Sequence, residues 1–167
     1  MKLSIIKIVE DTTVDGPGLR TAIYCAGCKH RCPGCHNPES WNMQCGKDME
    51  TDEILRIILE DPFADITFTG GDPMYQAESF AELARVIKQK TKKTIWCYTG
   101  FLYENLMQNP KQKELLKYID VLIDGPYIES CREESLIFRG SSNQRLIDVP
   151  TSLQEKRVAL LPYHPYL

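Results

Sequence analysis

The sequence predicts a single α/β domain in which most strands run parallel. Segments patterned like strands alternate with segments patterned like helices, which is the order found in βαβ units with right-handed crossovers. The strand segments are almost continuously apolar, as in a sheet that is covered on both faces. The 167 residues suit one domain but fall short of the roughly 250 residues of a complete eight-fold barrel. We therefore expect a partial (β/α) barrel or an open parallel sheet.

Three strands and one helix are expected in the first half of the chain. Residues 3–9 and 21–24 have the mixed apolar and polar composition of strands. Thr51 is expected to be the N-cap of a helix. One apolar stripe of that helix consists of Ile54, Leu55, Ile58 and Leu59. The strand at residues 65–69 follows and ends at a pair of glycines.

The alternation continues in the second half of the chain. Residues 79–89 place apolar side chains at helical spacing, and residues 94–98 form the next strand. Another helix ends at residues 115–118, and an apolar strand at residues 121–123 follows it. Because the carboxyl ends of parallel strands lie at one edge of a sheet, the loops that follow these strands predict a functional site there.

Composition and charge restrict the classes of function. Lys and Arg total 20 against 23 Asp and Glu, so the net charge is -3 and no basic excess is available for a nucleic-acid backbone. The apolar runs are too short to span a bilayer, and the first residues lack the features of a signal peptide. We expect a cytoplasmic protein with neither a nucleic-acid nor a membrane partner.

Seven cysteines are present, and four of them lie between positions 25 and 35. Clustered thiols without a signal peptide indicate a metal or redox site rather than a disulfide scaffold. Cys28, Cys32 and Cys35 have the spacing C-x3-C-x2-C, which lets a short loop wrap one inorganic centre. Three thiolates on a four-iron cube would leave one iron open to an outside ligand. The alternative is zinc with Cys25 or His36 as the fourth ligand, and the spacing alone does not choose between the two.

The cysteine spacing resembles the cluster motif of the radical S-adenosylmethionine (radical SAM) superfamily. The flanking segments VDGPGLR (residues 14–20) and PGCHNPESW (residues 33–41) resemble those of enzymes that activate glycyl-radical enzymes, most closely the activators of anaerobic ribonucleoside-triphosphate reductase. The resemblance extends to TGGDP at 69–73, WCYTG at 96–100, VLIDGP at 121–126 and RGSSNQRLID at 139–148. It implies one radical SAM domain over residues 1–167, with a cluster loop at 25–41 and a partner-facing block at about 126–167.

The resemblance also implies a reaction. In this family three cysteines, here Cys28, Cys32 and Cys35, hold a [4Fe-4S] cluster whose fourth iron binds S-adenosylmethionine (SAM). One electron, from reduced flavodoxin or ferredoxin, cleaves SAM to methionine and a 5′-deoxyadenosyl radical, which takes a hydrogen atom from a glycine of the reductase. No catalytic residue beyond the cluster and SAM is expected. The alternatives are activation of another glycyl-radical enzyme, such as pyruvate formate-lyase, and, in a different class, a zinc-stabilised binding module.

By the same resemblance, one set of residues binds SAM: Gly34, Cys35, His36, Gly70, Gly71, Asp72 and Asp124. The glycine pair is expected to accept hydrogen bonds from the amino group of SAM. Asp72 stands where the superfamily usually has Glu, with the same charge and one methylene less reach. Asp124 is expected to accept from the ribose hydroxyls, the alternative being an ordinary turn or cap aspartate.

The cysteines outside the motif have other interpretations. Cys25 and Cys97 are interpreted as small core residues, and Cys131 as an exposed thiol, while Cys45 has no assigned role.

The block at residues 139–148 is expected to form a hairpin between two short strands. Asn143 and Arg145 in this block could hydrogen-bond the extended backbone of a partner, the alternative being a turn whose polar groups are satisfied internally.

Overall fold

A single seven-stranded sheet organises residues 1–162, which are the residues that the computed structural model describes. The strands are β1 (Lys2–Thr12), β2 (Arg20–Cys25), β3 (Lys47–Glu50), β4 (Asp65–Gly70), β5 (Ile95–Tyr98), β6 (Val121–Asp124) and β7 (Arg145–Asp148). Their order across the sheet is β3-β1-β2-β4-β5-β6-β7. The helices are α1 (Thr51–Glu60), α2 (Ala77–Lys90), α3 (Tyr103–Leu106), α4 (Pro110–Leu116) and α5 (Val149–Glu155).

The predicted α/β class is confirmed, in the form of an open and mixed sheet. Strands β2, β4, β5 and β6 are parallel neighbours, joined by the helical crossovers that parallel pairing requires. The expectation of a parallel sheet was wrong at both edges, where β1, β3 and β7 pair antiparallel. The links from β1 to β2 and from β6 to β7 contain no α-helix, so the chain turns back antiparallel to the strand it has just left.

The main hydrophobic core lies between one face of the sheet and the helices. Apolar residues of β1 to β7 on this face pack against α1, α2 and α4, with Phe68 and Phe80 in ring contact at a centroid distance of 4.6 Å. The other face carries a smaller cluster around Trp96 and Ile123, to which no helix within residues 1–162 contributes. There a loop residue, Phe138, meets Trp96 edge to face. The expectation of a sheet covered on both faces agrees with the burial of Trp96 and Ile123, but among residues 1–162 it is loop residues such as Phe138, rather than helices, that cover this second cluster.

Helix α1 differs in two details from the expectation. Glu50, not Thr51, occupies the N-cap position, and the Thr51 hydroxyl instead contacts Glu82 at 3.3 Å. The apolar stripe is narrower than expected, because Leu59 is 41% exposed while Ile54 is fully buried. Among residues 1–162, no helix has the length and apolar character that crossing a bilayer would need.

The hairpin expected in the block at residues 139–148 is only half formed. Its second strand is β7, but in place of the first strand Ser141 makes one isolated bridge to Arg132. The partner-facing block expected to run to residue 167 is described as far as residue 162, so its last five residues lie outside the described part. The short helix α3 was not predicted, because four residues are too few to show a helical period.

Candidate metal centre and ligand site

The loops that follow β2, β4, β5 and β6 meet at the carboxyl edge of the parallel strands. The amide of Gly71 donates to the carbonyl of Cys25 at 2.7 Å, and that of Asp72 donates to Gly27 at 2.8 Å. The amide of Thr99 donates to Ile123 at 2.9 Å, which joins the last two strand ends. The loops that the sequence places at this edge of the sheet therefore lie there, and backbone hydrogen bonds join neighbouring strand ends.

The three cysteines of the motif lie on the first of these loops as free, half-buried thiols. The loop is closed by its own backbone, since the amide of Cys28 donates to the carbonyl of Trp41 at 3.1 Å and that of Cys35 to Cys32 at 3.1 Å. The amide of Asn37 also lies 3.4 Å from the Cys35 sulfur. Gly34 has φ +78°, and a Cβ there would come within 2.9 Å of the Glu129 carboxyl carbon. The loop holds its conformation without a disulfide.

The distances between the three cysteine sulfurs indicate which kind of metal centre they can bind. A zinc ion that binds thiolates at about 2.3 Å holds them about 3.8 Å apart in a tetrahedron. Within residues 1–162, the set of three ligand atoms lying within 4.8 Å of one another is Cys28, His30 and Asp72, and the three cysteines do not form such a set. The arrangement is thus wider than a mononuclear zinc site, and its soft sulfur donors suit an iron–sulfur cluster.

Burial controls the charge of the thiols. Desolvation raises the pKa of Cys28 to about 11, against the opposing effect of the His30 and Arg31 amides. Without a positive centre Cys28 is therefore a neutral thiol near pH 7, and a bound metal would be what holds it as a thiolate.

The other cysteines differ in environment from the motif. Cys25 and Cys97 are fully buried in the core, and burial raises the pKa of each well above its ordinary value. Their interpretation as core residues agrees with this placement. Cys131 is half-buried rather than exposed as expected, because it lies in a short turn between residues 129 and 131. Cys45 is exposed.

The glycine pair brings β4 against the cysteine loop. Gly70 has φ +105°, and a Cβ on it would lie 2.4 Å from the backbone nitrogen of Cys25. A Cβ on Gly71 would lie 2.5 Å from the carbonyl oxygen of Gly27. Neither position has room for a side chain, so this turn and the cysteine loop share one rigid frame.

We expect Gly70→Ala to lower the free energy of unfolding of the apo protein by about 3 kcal/mol, since it combines backbone strain with a collision against backbone. Gly18→Ala is the matched control, because Gly18 also has positive φ (+70°) but nothing within 4 Å of a Cβ. Its cost is expected to be only the left-handed strain of about 1 kcal/mol. Urea unfolding of both variants measures the difference, and equal losses would contradict the close approach described above.

Asp72 is turned into the protein. Its side chain is 1% exposed, and Oδ1 accepts from the Met74 amide at 3.0 Å. Oδ2 lies 2.7 Å from His30 Nε2 and accepts from the Thr99 hydroxyl and the Gly100 amide, each at 2.9 Å. Each oxygen of an ionised carboxylate has about two acceptor positions, so the three donors at Oδ2 fully occupy that oxygen, and Oδ1 has one donor. Contact of this carboxylate with SAM stays a prediction that its present hydrogen bonds do not favour.

Asp124 is also fully buried and neutralised from within the chain. Arg145 donates to it through Nε at 3.0 Å and through a terminal nitrogen at 2.5 Å, and the Tyr103 amide donates at 2.8 Å. The same guanidinium pairs with Glu104 at 2.8 Å, and these two carboxylates raise the pKa of Arg145. Asp124 thus binds the first amide of α3, which agrees with the alternative role of an ordinary turn or cap aspartate.

The remaining candidates lie at the loop tips. Gly34 and His36 are exposed, and the His36 ring lies 5.7 Å from that of Tyr127. Asn143 donates to the Pro126 carbonyl at 2.8 Å, while its side-chain oxygen is buried without a hydrogen-bond partner. Arg145 thus agrees with a turn whose polar groups are satisfied from within, whereas Asn143 agrees with it only through its amide nitrogen.

Sequence reasoning missed the role of Arg20, the last residue of the VDGPGLR segment. Its guanidinium is 1% exposed and donates to the Thr67 hydroxyl at 2.8 Å, to the Ile66 carbonyl at 2.7 Å and to Pro17 at 3.1 Å. Burial lowers the pKa of Arg20. The residue therefore ties the turn before β2 to β4, and a charged residue at the start of an otherwise apolar strand was the available signal.

A second missed feature is a pair of polar side chains, Tyr24 and Asp15, beside the second face of the sheet. The Tyr24 hydroxyl donates to Asp15 at 3.0 Å, and burial together with this carboxylate raises the pKa of Tyr24 to about 12. Burial raises the pKa of Tyr98 still further, with Asp15 adding to the effect.

The Tyr24 shift predicts a pH dependence. The folded protein keeps the Tyr24 proton up to about pH 12, whereas the unfolded chain loses it near the ordinary value of about 10. The folded state therefore binds more protons between these limits, so stability present below about pH 10 is lost as the pH rises toward 12. We expect Tyr24→Phe to show a shallower decline in urea midpoint over this interval, and parallel declines would contradict the shift.

Comparison with known proteins agrees with this geometry. A family model described as a 4Fe-4S single cluster domain matches residues 14–147. The anaerobic ribonucleoside-triphosphate reductase-activating protein of Enterobacteria phage T4 is 40% identical over 139 residues, covering 80% of this chain and 86% of the relative. The proteins of the same name from Vibrio cholerae and Escherichia coli K12 are 37% and 35% identical, covering 78% of this chain and 88% and 89% of theirs. The chain therefore belongs to the family of anaerobic ribonucleoside-triphosphate reductase-activating proteins, and it carries a 4Fe-4S single cluster domain.

Proposed function

We propose that this protein activates an anaerobic ribonucleoside-triphosphate reductase by forming a glycyl radical on it. The observation that carries the proposal is the set of three free, half-buried cysteines on a loop hydrogen-bonded to the glycine turn, in a chain whose relatives are named as activating proteins of this reductase. Cys28, Cys32 and Cys35 would be the cluster ligands.

The chemistry would belong to the bound groups. A [4Fe-4S] cluster on these cysteines would pass one electron, received from reduced flavodoxin or ferredoxin, to SAM at the iron without a protein ligand, giving methionine and a 5′-deoxyadenosyl radical that takes a hydrogen atom from the glycine. The protein supplies position, shielding and electrostatics.

The residues around the cysteines support such a role. The hydrogen bonds from Gly71 to Cys25 and from Asp72 to Gly27 fix the glycine turn against the cysteine loop. A SAM amino group held by the backbone of Gly70 and Gly71 would therefore sit at a constant distance from the cysteines. The tip from Gly34 to His36 is exposed enough to lie against an adenine ring. This pre-organisation is worth much of the rate when two reacting groups must meet.

A sheet that is not closed into a barrel suits a protein substrate. No helix within residues 1–162 contributes to the cluster around Trp96, and the sheet is not closed. We propose that a loop of the reductase completes the site at the edge of the sheet where the cysteine loop lies, with the block from residue 126 onward facing the partner. Exclusion of water would then depend on the complex, which would confine the radical to its target.

Anaerobic reconstitution tests the proposal. The protein is loaded with iron and sulfide and reduced, and 5′-deoxyadenosine released from added SAM is measured with and without the reductase. We expect product that requires all three motif cysteines. Tightly held zinc with no cluster would favour the binding module instead. A loaded, reduced cluster that cleaves no SAM even with the reductase present would overturn the proposed reaction.

A further inference from the structure

His30 lies in the middle of the three residues that separate Cys28 from Cys32. Its side chain points away from solvent, with the ring Nε2 2.7 Å from Asp72 Oδ2. With Asp72 ionised, that nitrogen is the donor. A charge-assisted hydrogen bond of this length in a buried setting is among the stronger non-covalent ties in a protein.

Oδ2 of Asp72 also binds residues of the neighbouring loops. Oδ2 also accepts from the Thr99 hydroxyl and the Gly100 amide, which follow β5, while Oδ1 holds the Met74 amide after the glycine turn. One buried carboxylate thus connects the cysteine loop, the glycine turn and the end of β5.

The His30 ring is also fixed by packing. It meets Phe101 edge to face at a centroid distance of 4.5 Å and lies 5.5 Å from Tyr75. Gly100 leaves the space that the ring occupies, since a Cβ there would come within 2.6 Å of His30 Cδ2. Both hydrogen bonding and sterics therefore select one ring position.

We propose that His30 is a positioning residue that preforms the cysteine loop, and that Asp72 is its anchor rather than a ligand of SAM. The hydrogen bond between His30 and Asp72 holds the segment between Cys28 and Cys32 against the glycine turn before any cluster is bound. This also explains Asp at a position where Glu is usual: a carboxylate one methylene further out would displace His30 and Gly100 from their present sites. The inference rests on the proposed function for its consequence, but the hydrogen bond between His30 and Asp72 can be tested in the apo protein.

The first test uses the apo protein and needs no cluster. Amide hydrogen exchange is followed in the peptide covering residues 28–35 of His30→Leu, with Lys29→Gln as the matched control from the same three-residue gap. We expect exchange about ten-fold faster in His30→Leu, because a hydrogen bond to a charged group is lost. Lys29→Gln should exchange nearly as the wild type does, since Lys29 is exposed and its one ring contact, 5.9 Å from its ammonium to the Tyr75 centroid, is weak. Unchanged exchange in β4 shows that the variant is folded.

The second test uses the reconstituted protein. Release of iron to a chelator is timed, and the change that SAM causes in the electron paramagnetic resonance (EPR) spectrum of the reduced cluster is recorded. We expect His30→Leu to lose iron faster and to show an altered spectrum with SAM. His30→Gln should largely restore both, because its amide nitrogen can donate to Asp72. Asp72→Glu, as a single substitution, should show both defects of His30→Leu, although it creates the usual Gly-Gly-Glu.

The outcomes separate the two proposals. Wild-type exchange in His30→Leu, or wild-type iron release and spectrum in Asp72→Glu, would overturn the inference and leave the proposed function standing. A wild-type protein that holds no cluster would contradict the proposed function, and the exchange experiment would still decide whether His30 orders the loop.

Discussion

Replacement of Cys32 by alanine is expected to abolish both cluster assembly and SAM cleavage, whereas Cys131→Ala leaves both nearly unchanged. Cys32 is the central residue of the motif, and two remaining thiolates cannot hold a four-iron cube that leaves only one iron open. Cys131 is equally half-buried but lies in the turn after β6, outside the cysteine loop. Iron and sulfide content and 5′-deoxyadenosine release measure the effect.

The comparison controls for the loss of a thiol as such, because both residues are free cysteines of similar burial. Equal damage by the two substitutions would contradict the assignment of the ligands. Retention of a cluster in Cys32→Ala would point to Cys25 as a substitute ligand, which its full burial in the core argues against.

Arg145→Met is expected to lower the free energy of unfolding of the apo protein by about 3–5 kcal/mol, because it leaves a buried carboxylate without its cation. Asp124 is 0% exposed and receives two of its three hydrogen bonds from Arg145. The control is Glu104→Gln, which removes the exposed partner of the same guanidinium and should cost less than about 1 kcal/mol. Urea unfolding compares the two.

A double variant sharpens this prediction. Asp124→Asn combined with Arg145→Met removes both charges and should recover part of the loss, since no unpaired charge then remains buried. A loss in Arg145→Met no larger than in Glu104→Gln would mean that Asp124 is accessible enough to be solvated. In that case the Asp124 carboxylate would again be a candidate to bind the ribose of SAM.

The order of strands and helices was predictable because each carries a local signal. Alternating strand and helix patterns gave the parallel centre of the sheet from β2 to β6. The antiparallel edges were not predictable in the same way, since the direction of a strand depends on where a neighbour lies and not on its own residues. The covering of the second face by loops was not predicted for a related reason: apolar residues such as Trp96 and Ile123 have the same pattern whether helices or loops lie over them.

The cysteine motif was evident from spacing alone, because all three members lie on one short segment. The hydrogen bond between His30 and Asp72 was not evident from the sequence, since it joins residues 42 positions apart that only the strand order brings together. The inward turn of Asp72 was missed because a Gly-Gly-Asp-Pro sequence specifies a tight turn but not the direction of its carboxylate. The role of Arg20 was not predicted, because a charged residue at the start of a strand does not show which oxygen atoms of the neighbouring strand will satisfy it.

Transfer of the radical to the partner tests the central claim most directly. The reconstituted and reduced protein is mixed anaerobically with SAM and an anaerobic ribonucleoside-triphosphate reductase, and the EPR spectrum is recorded with pyruvate formate-lyase in a parallel sample. We predict a glycyl radical on the reductase that requires SAM and the three motif cysteines, and little or none on pyruvate formate-lyase. No radical on the reductase from a protein that cleaves SAM, or a radical on pyruvate formate-lyase alone, would contradict the account.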